Sequence, residues 1–397
     1  MIRYLEVKGL NNKLSQPFEF NEDLNIITGP NGSGKTTLLK LIWYLISGHL
    51  EQILSEIPFS SVSIETDTFS LTMVQTKTDE IKLKSEFTGE KPIPKTINID
   101  PKTKVIDRKN IDAVNELEKR IAQTTKSSLF FPTFRRIEGG FSIDSRSSKH
   151  TRDAVVQRLI NSTTDKLLTA ISQLSDDMST DRHKFIATVS TIDIIKLLPQ
   201  EYLDIYQEIS ILQSQVLESI SKEIENNPDK DKIGEMPKSA SAFLDAIQKV
   251  DKETEQLKKP FSVLSELTRK ILGYNEILIT ENLVLGEKPD GLNFEKESDD
   301  IAIAEINDAI SSDKLSSGEK QMLSYLCYNA FYTNMAVFID EPELSLHVDW
   351  QSLLLPTLLE QSTGNQFFVA THSPFIYTLY PDKEFLLGDT RGYQGET

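Results

Sequence analysis

The sequence predicts an α/β fold: a parallel sheet with ligand-binding loops at one edge, an antiparallel β subdomain and a helical insertion. Three observations predict it. The apolar segment Leu24-Asn-Ile-Ile-Thr28 runs into a glycine-rich turn and then into an amphipathic stretch over 36–46. A second apolar segment, Met335-Ala-Val-Phe-Ile339, ends in the adjacent carboxylates Asp340 and Glu341, as suits a strand buried on both faces. Between these segments the texture turns helical, with apolar residues recurring at three-to-four spacing.

The elements follow in order. Met1-Ile-Arg-Tyr-Leu-Glu6 reads as a strand with charges interleaved, which does not resemble a signal peptide. Over 2–99 most segments read as short strands. Phe69-Ser-Leu-Thr-Met73 and Ile81-Lys-Leu-Lys84 alternate apolar with polar residues, the pattern of half-buried antiparallel strands. From about Asp107 the pattern is helical. Val156, Leu159, Ile160, Leu167, Leu168, Ile171 and Leu174 keep helical spacing, as does the run 202–224. The polar, turn-forming Glu225-Asn-Asn-Pro-Asp-Lys-Asp-Lys232 is expected to separate two helical hairpins. Strand-like segments return over 276–280 and 282–285, followed by a helix over 315–329, two short buried strands and another helix. Heptads are not sustained, so the helical stretch is expected to be compact. The domain reading is a discontinuous head, 1–149 and 274–397, interrupted by a helical insertion at 150–273.

Composition narrows the function classes. With 43 basic and 60 acidic side chains the formal charge is −17. Nucleic acid and anionic membranes repel such a chain on average, so contact with either needs a local basic patch. One cysteine, Cys327, excludes an intramolecular disulfide framework and reads as a packed core thiol in a reducing compartment. No run of about eighteen apolar residues is present to span a bilayer. The expectation is a soluble, cytoplasmic chain with no membrane partner.

Four motifs carry chemistry. Gly29-Pro-Asn31-Gly32-Ser33-Gly34-Lys35-Thr36-Thr37 lies between a strand and a helix, which is the setting a P-loop requires. Its glycines let successive backbone N–H groups face phosphate oxygens, and the following helix adds its positive dipole end. Lys35 would reach the β and γ phosphates of ATP, and the Thr36 hydroxyl would bind Mg²⁺. An ordinary glycine turn is the plain alternative. At the end of the second strand Asp340 would hold Mg²⁺, and Glu341 would orient or deprotonate the attacking water. Leu315-Ser316-Ser317-Gly318-Glu319 offers hydroxyls and a glycine amide at a helix start, either as an anion site or as an ordinary N-cap. Finally, Phe367-Phe-Val-Ala-Thr371-His372 ends a strand in a histidine able to reach a γ-phosphate or its water, although a lone histidine is commonly structural.

In this order the four motifs resemble the ABC ATPase superfamily: P-loop, signature motif, Walker B and switch histidine. The resemblance implies ATP and Mg²⁺ as cofactors and head-to-tail dimerisation, or a higher oligomer. Ser316 and Gly318 of one subunit would then complete the site around the γ-phosphate held by Lys35 of the other. The start Met1-Ile-Arg-Tyr-Leu-Glu-Val-Lys-Gly-Leu10 with Phe18-Glu-Phe20 is similar to the RecF, SMC and OLD branch, as is Asp340-Glu-Pro-Glu343-Leu-Ser-Leu-His347. With Phe130-Phe-Pro-Thr-Phe-Arg135-Arg136-Ile-Glu138, the sequence resembles the stand-alone ATPases of bacterial anti-phage systems such as PARIS and Septu. This likeness implies a sensor or scaffold that controls a separate effector, for example a Toprim or HNH nuclease. A RecF-like role in DNA repair or recombination is the second reading, and ATP-dependent clamping the third.

Some features sit outside this pattern. The glutamine that ABC proteins place on Mg²⁺ has two candidates, Gln75 and Gln123. OLD-type nucleases continue past the switch histidine into a Toprim domain, whereas 25 residues follow His372 here. Any destructive output is therefore expected from a second protein. Arg135 and Arg136 could fork onto phosphate or form salt bridges on an acidic surface. The island Arg146-Ser-Ser-Lys149-His150-Thr-Arg152 could meet nucleic acid or simply open a solvated helix.

Overall fold

The computed structural model describes residues 1–77, 80–90, 93–98, 106–133, 136–137, 173–180, 182–189, 191–226, 238–272, 278–279, 285–286 and 316–388. Arg135, the island 146–152, the helical run 156–171, the linker residues 227–232 and Leu315 lie outside them. Contacts divide the chain into two compact units, Met1–Val189 with Tyr332–Thr397, and Ser190–Phe331.

The first unit opens with β1 (Ile2–Leu10), β2 (Leu14–Glu19) and β3 (Leu24–Thr28), then α1 (Lys35–Ser47) and α2 (Leu50–Glu56). Next come β4 (Ser61–Thr66), β5 (Phe69–Lys77), β6 (Glu80–Phe87), β7 (Ile93–Asn98) and α3 (Arg108–Thr124). The short strands β8 (Ser128–Phe131), β9 (Arg136–Ile137), β10 (His183–Phe185) and β11 (Thr188–Val189) complete this first stretch.

The second unit holds α4 (Thr191–Asn226), α5 (Lys238–Leu272), the paired β12 (Leu278–Ile279) and β13 (Leu285–Gly286), and α6 (Ser317–Phe331). The chain returns to the first unit with β14 (Ala336–Asp340), α7 (Val348–Glu360), β15 (Gln366–Ala370), α8 (Pro374–Tyr377) and β16 (Glu384–Leu386).

Two six-stranded sheets organise the first unit. One is antiparallel, in the order β2-β1-β4-β5-β6-β7. Its strands alternate as the sequence predicts, and along β6 every second residue is buried. The other runs β10-β8-β14-β15-β3-β16, and every pairing in it is parallel. Its central strands β14, β15 and β3 are buried at every residue, which explains their unbroken apolar runs. Helix α1 is buried almost all round from Leu38 onward, with Trp43 wholly covered. A helix apolar on all sides belongs inside a core rather than on a surface. The side chain of Gln366 ties the two sheets together. Its amide accepts from Ile2 N (2.8 Å) and donates to Ile2 O (2.7 Å) and Asn21 O (2.8 Å).

Glu225 and Asn226 end α4, and 227–232, the rest of the stretch expected to separate two helical hairpins, lie outside the described residues. The helices on either side, α4 and α5, pack on each other as two arms. Each arm is an unbroken helix of about ten turns, 36 and 35 residues long, so neither folds back on itself. Tyr202 and Phe261 meet edge-on at 5.7 Å between the two arms. The contact boundary differs from the 150–273 insertion read from sequence. Helix α6 joins the helical unit because it packs on α4 and α5, with Phe331 at 4.8 Å from Phe261. Cys327 lies on α6 and is fully buried, and that burial pushes its thiol pKa up. Among the described residues, no helix is long and apolar enough to cross a membrane.

A buried histidine pair lies beneath the parallel sheet's N-terminal edge. His49 stacks on Trp43 at 5.1 Å, with its Nδ1 2.6 Å from Ser47 Oγ. Ser47 donates its only hydroxyl proton to Trp43 O, so His49 Nδ1 is the donor to Ser47. His183 contacts Ser128 Oγ through Nδ1 (2.8 Å) and Thr125 Oγ1 (3.1 Å) and Ala122 O (3.2 Å) through Nε2. Burial lowers both pKa values from 6.5 to about 4. Between these values the unfolded chain binds protons that the folded chain refuses. Stability is therefore intact above pH 6.5 and falls as pH drops towards 4, by up to about 1.4 kcal/mol per pH unit for each histidine. Melting temperatures measured from pH 7.5 to 4.5 should fall accordingly, and the slope should flatten in a His49→Gln, His183→Gln variant that still folds. Equal slopes in parent and variant would remove the histidines as the cause.

Candidate nucleotide-binding site

Three parallel strand ends build the site. Strand β3 delivers the loop 29–34, β14 delivers Asp340 and Glu341, and its neighbour β15 leads into Thr371 and His372. In open α/β sheets ligands bind at this carboxyl edge.

The loop needs its glycines for two different reasons. Gly29 has φ +145°, and a Cβ there would stand 2.5 Å from Leu387 O, so neighbouring backbone leaves no room for a side chain. Gly34, at φ +100°, caps α1 in the left-handed region, and a Cβ on Gly32 or Gly34 would meet nothing within 4 Å. The loop is therefore tight against the protein at one end and open at the other. Lys35 starts α1 and is 5% exposed. Its ammonium donates to Gly29 O (3.1 Å) and Pro30 O (3.3 Å) and lies 2.6 Å from His372 Nε2. Lys35 has only protons to offer, so a neutral His372 accepts at Nε2 and carries its own proton on Nδ1. Thr36 Oγ1 donates to Asp340 Oδ1 at 3.1 Å, and Thr133 Oγ1, just past β8, donates to Asp340 Oδ2.

Glu341 sits in the left-handed region at φ 47°, an uncommon conformation for a residue with a side chain, and such outliers concentrate at functional sites. Its Oε1 lies 4.0 Å from His372 Nε2. The charges oppose one another in a consistent way. Burial lowers the Lys35 pKa, against the pull of Glu341, Asp340 and Glu343. Burial and then Lys35 lower the His372 pKa, with the same three carboxylates opposing. One cation and three carboxylates thus surround a histidine held towards its neutral form.

The donor set suits a nucleoside triphosphate with a hard divalent cation. Ser33 Oγ, within the glycine-rich loop, is buried with no hydrogen-bond partner. Thr36 and Asp340 place a hydroxyl and a carboxylate oxygen side by side, both of the oxygen type that Mg²⁺ prefers.

Comparison with known proteins agrees with this chemistry. Residues 1–377 match the family described as AAA ATPase domain, AAA_15. The chain belongs to that family. Membership makes this AAA ATPase chain a nucleotide binder. It is 46% identical over 63 residues to Endonuclease GajA of Bacillus cereus (strain VD045), a match covering 14% of this chain and 11% of that protein. It is 38% identical over 66 residues to Septu protein PtuA of Bacillus thuringiensis, covering 16% and 17%. The matches thus span under a fifth of either relative. Among solved structures, the SmcHead bound to the C-winged helix domain of ScpA overlaps 95% of this chain and 91% of its own, at 13% identity and TM-score 0.37.

The remaining expected residues of the AAA ATPase fall as follows. Asn31 and Gly32 are exposed at the loop tip. Thr37 Oγ1 accepts from Asn11 Nδ2 (3.1 Å), a contact from the β1–β2 turn that sequence reading did not include. Ser316, Ser317, Gly318 and Glu319 lie in the helical unit. There Ser316 Oγ accepts from Glu319 N (3.3 Å), and Glu319 Oε2 accepts from Ser316 N (2.6 Å). This reciprocal pair is a capping box, the plainer of the two readings of the motif in its geometry. Gln75 lies on β5, and Gln123 lies in the last turn of α3, five residues before β8 begins. Gln123 is therefore at the sheet edge opposite the P-loop and drops out as a Mg²⁺ glutamine. Arg136 pairs through its backbone with Thr188 in the short β9–β11 ladder.

Thr133 and Glu343 stand in stretches that carry the resemblance, but sequence alone assigned neither a contact in the site, and Asn11 lies in a turn with no motif of its own. The run Phe130-Phe-Pro-Thr133, next to an Asp-Glu strand, was the available signal for the first.

Proposed function

We propose that this protein hydrolyses ATP with Mg²⁺ in a composite site of a head-to-tail dimer. We further propose that turnover there controls a separate effector in anti-phage defence. The convergence of Lys35, Thr36, Asp340, Glu341 and His372 at adjacent strand ends carries the hydrolysis reading. Loop N–H groups and Lys35 would hold the β and γ phosphates, with Thr36 and Asp340 as the cation ligands. Bound there, Mg²⁺ would neutralise charge building on the phosphate oxygens. Glu341 orients the attacking water and takes up its proton, and His372 Nε2 faces the same point. Ser316 and Gly318 of the second copy would close the site over the γ-phosphate.

The defence reading is supported by the local matches to a Septu protein and to an endonuclease named GajA. The helical unit also leaves Leu203, Tyr206, Ile211 and Leu217 of α4 exposed, as a surface that meets another protein would. In this reading the discontinuous head transmits turnover to the helical insertion, where a Toprim or HNH nuclease would dock.

Purified protein should release phosphate from ATP with Mg²⁺ and stop in excess chelator, and Lys35→Ala should abolish both nucleotide binding and turnover. Cells should resist phage only when a neighbouring effector gene accompanies this one. Protection by this gene alone would overturn the effector reading. Tight binding of gapped DNA at physiological salt would replace it with a RecF-like role.

A further inference from the structure

Glu343 stands in the 3₁₀ turn Pro342–Ser345 that follows β14, beyond the strand ends that hold the P-loop, the Asp340–Glu341 pair and His372. The β14–β15 ladder ends at the pair Asp340 and Ala370, after which Glu341 N still bonds Ala370 O at 2.8 Å. Beyond that point backbone pairing stops, and a side chain continues it. Glu343 Oε1 accepts from the backbone N–H of His372 at 2.6 Å, short enough for a charge-assisted bond. Its second oxygen, Oε2, is buried with no hydrogen-bond partner. A half-satisfied buried carboxylate costs stability, so the bond that its other oxygen makes to His372 has to offset that cost.

We infer that Glu343 is a positioning residue: its Oε1 fixes the backbone of His372 and so aims Nε2 at the point where Glu341 and Lys35 meet. This rests on the reading of His372 as part of the hydrolytic site. The bond matters because His372 follows the last ladder residue by two positions, one past Thr371, whose N–H still bonds Ile27 O at 3.1 Å. A shift of about 1 Å in a reacting or orienting group can cost about 100-fold in rate. Binding of nucleotide would not feel this, since the loop 29–34 and Lys35 are held from β3 and α1.

Three variants separate reach from charge. Glu343→Asp keeps the charge and is one methylene too short. Glu343→Gln loses the charge and keeps an acceptor oxygen in the same place. Glu343→Ala loses both. Steady-state ATPase assays should show kcat reduced about 10- to 100-fold for Asp and Ala with KM nearly unchanged, and kcat largely retained for Gln. A Gln variant as impaired as Ala, or a loss confined to KM, would overturn the proposal.

A second readout does not depend on turnover. With ¹⁵N-histidine labelling the chain gives five amide signals, one for each histidine. The His372 amide proton should move upfield in Glu343→Ala and Glu343→Asp but stay close to the parent position in Glu343→Gln. An unmoved His372 signal in the Ala variant would show that the bond is not made. A moved signal, combined with normal turnover in His372→Ala, would leave the bond standing and fault the reading of His372 instead.

Discussion

Glu341→Gln should cut steady-state ATP turnover by about 1,000-fold while nucleotide affinity stays within a few-fold. The change is nearly isosteric and removes only the ability to accept a proton and to attract Lys35 and His372. Those two groups lie 2.6 Å apart, with Glu341 Oε1 4.0 Å from the imidazole. The P-loop and the Thr36–Asp340 pair are untouched, so ATP should still bind and should accumulate on the protein. If the composite dimer is correct, ATP should also shift the variant to a dimer in size-exclusion chromatography with light scattering. Near-normal turnover would remove Glu341 from its role.

The second large effect concerns Ser316. Ser316→Arg should abolish hydrolysis while leaving nucleotide affinity of the isolated chain intact. The structure shows why a control is needed. Ser316 and Glu319 form a capping box, so any replacement also loses about 1 kcal/mol of helix-end stability. Ser316→Ala carries that loss without the bulk, and it should melt earlier but still turn over ATP. Mixing Ser316→Arg with Lys35→Ala chains then tests the geometry. A head-to-tail mixed dimer has one site with both lesions and one with neither, so part of the activity should return. If Ser316→Arg hydrolyses ATP as well as Ser316→Ala does, the serine is a helix cap and nothing more.

Much of the head is legible in sequence because its signals are local. A P-loop is a contiguous string in a strand-to-helix setting. Strands β14 and β15, buried on both faces, announce themselves as unbroken apolar runs, and β6 shows its two-residue period openly. The site's outer ring is not local. Thr133 meets Asp340 across 207 positions, and Asn11 meets Thr37 from a turn whose two asparagines, Asn11 and Asn12, both adopt positive φ. Glu343 was visible in its motif, but only the fold puts its carboxylate against the His372 amide. His183 and His49 are 134 positions apart, yet folding buries both near Trp43.

The solitary thiol makes the protein convenient for spectroscopy. Cys327 is sealed inside α6's packing, and burial holds it in the unreactive protonated form. Towards maleimides the folded chain should behave as though it had no cysteine. Single cysteines placed at exposed positions such as Leu203 or Leu217 can therefore carry a dye or spin label on the native background, without first removing Cys327. The buried thiol then serves as an internal clock, since its modification under mild conditions reports how often the helical unit opens.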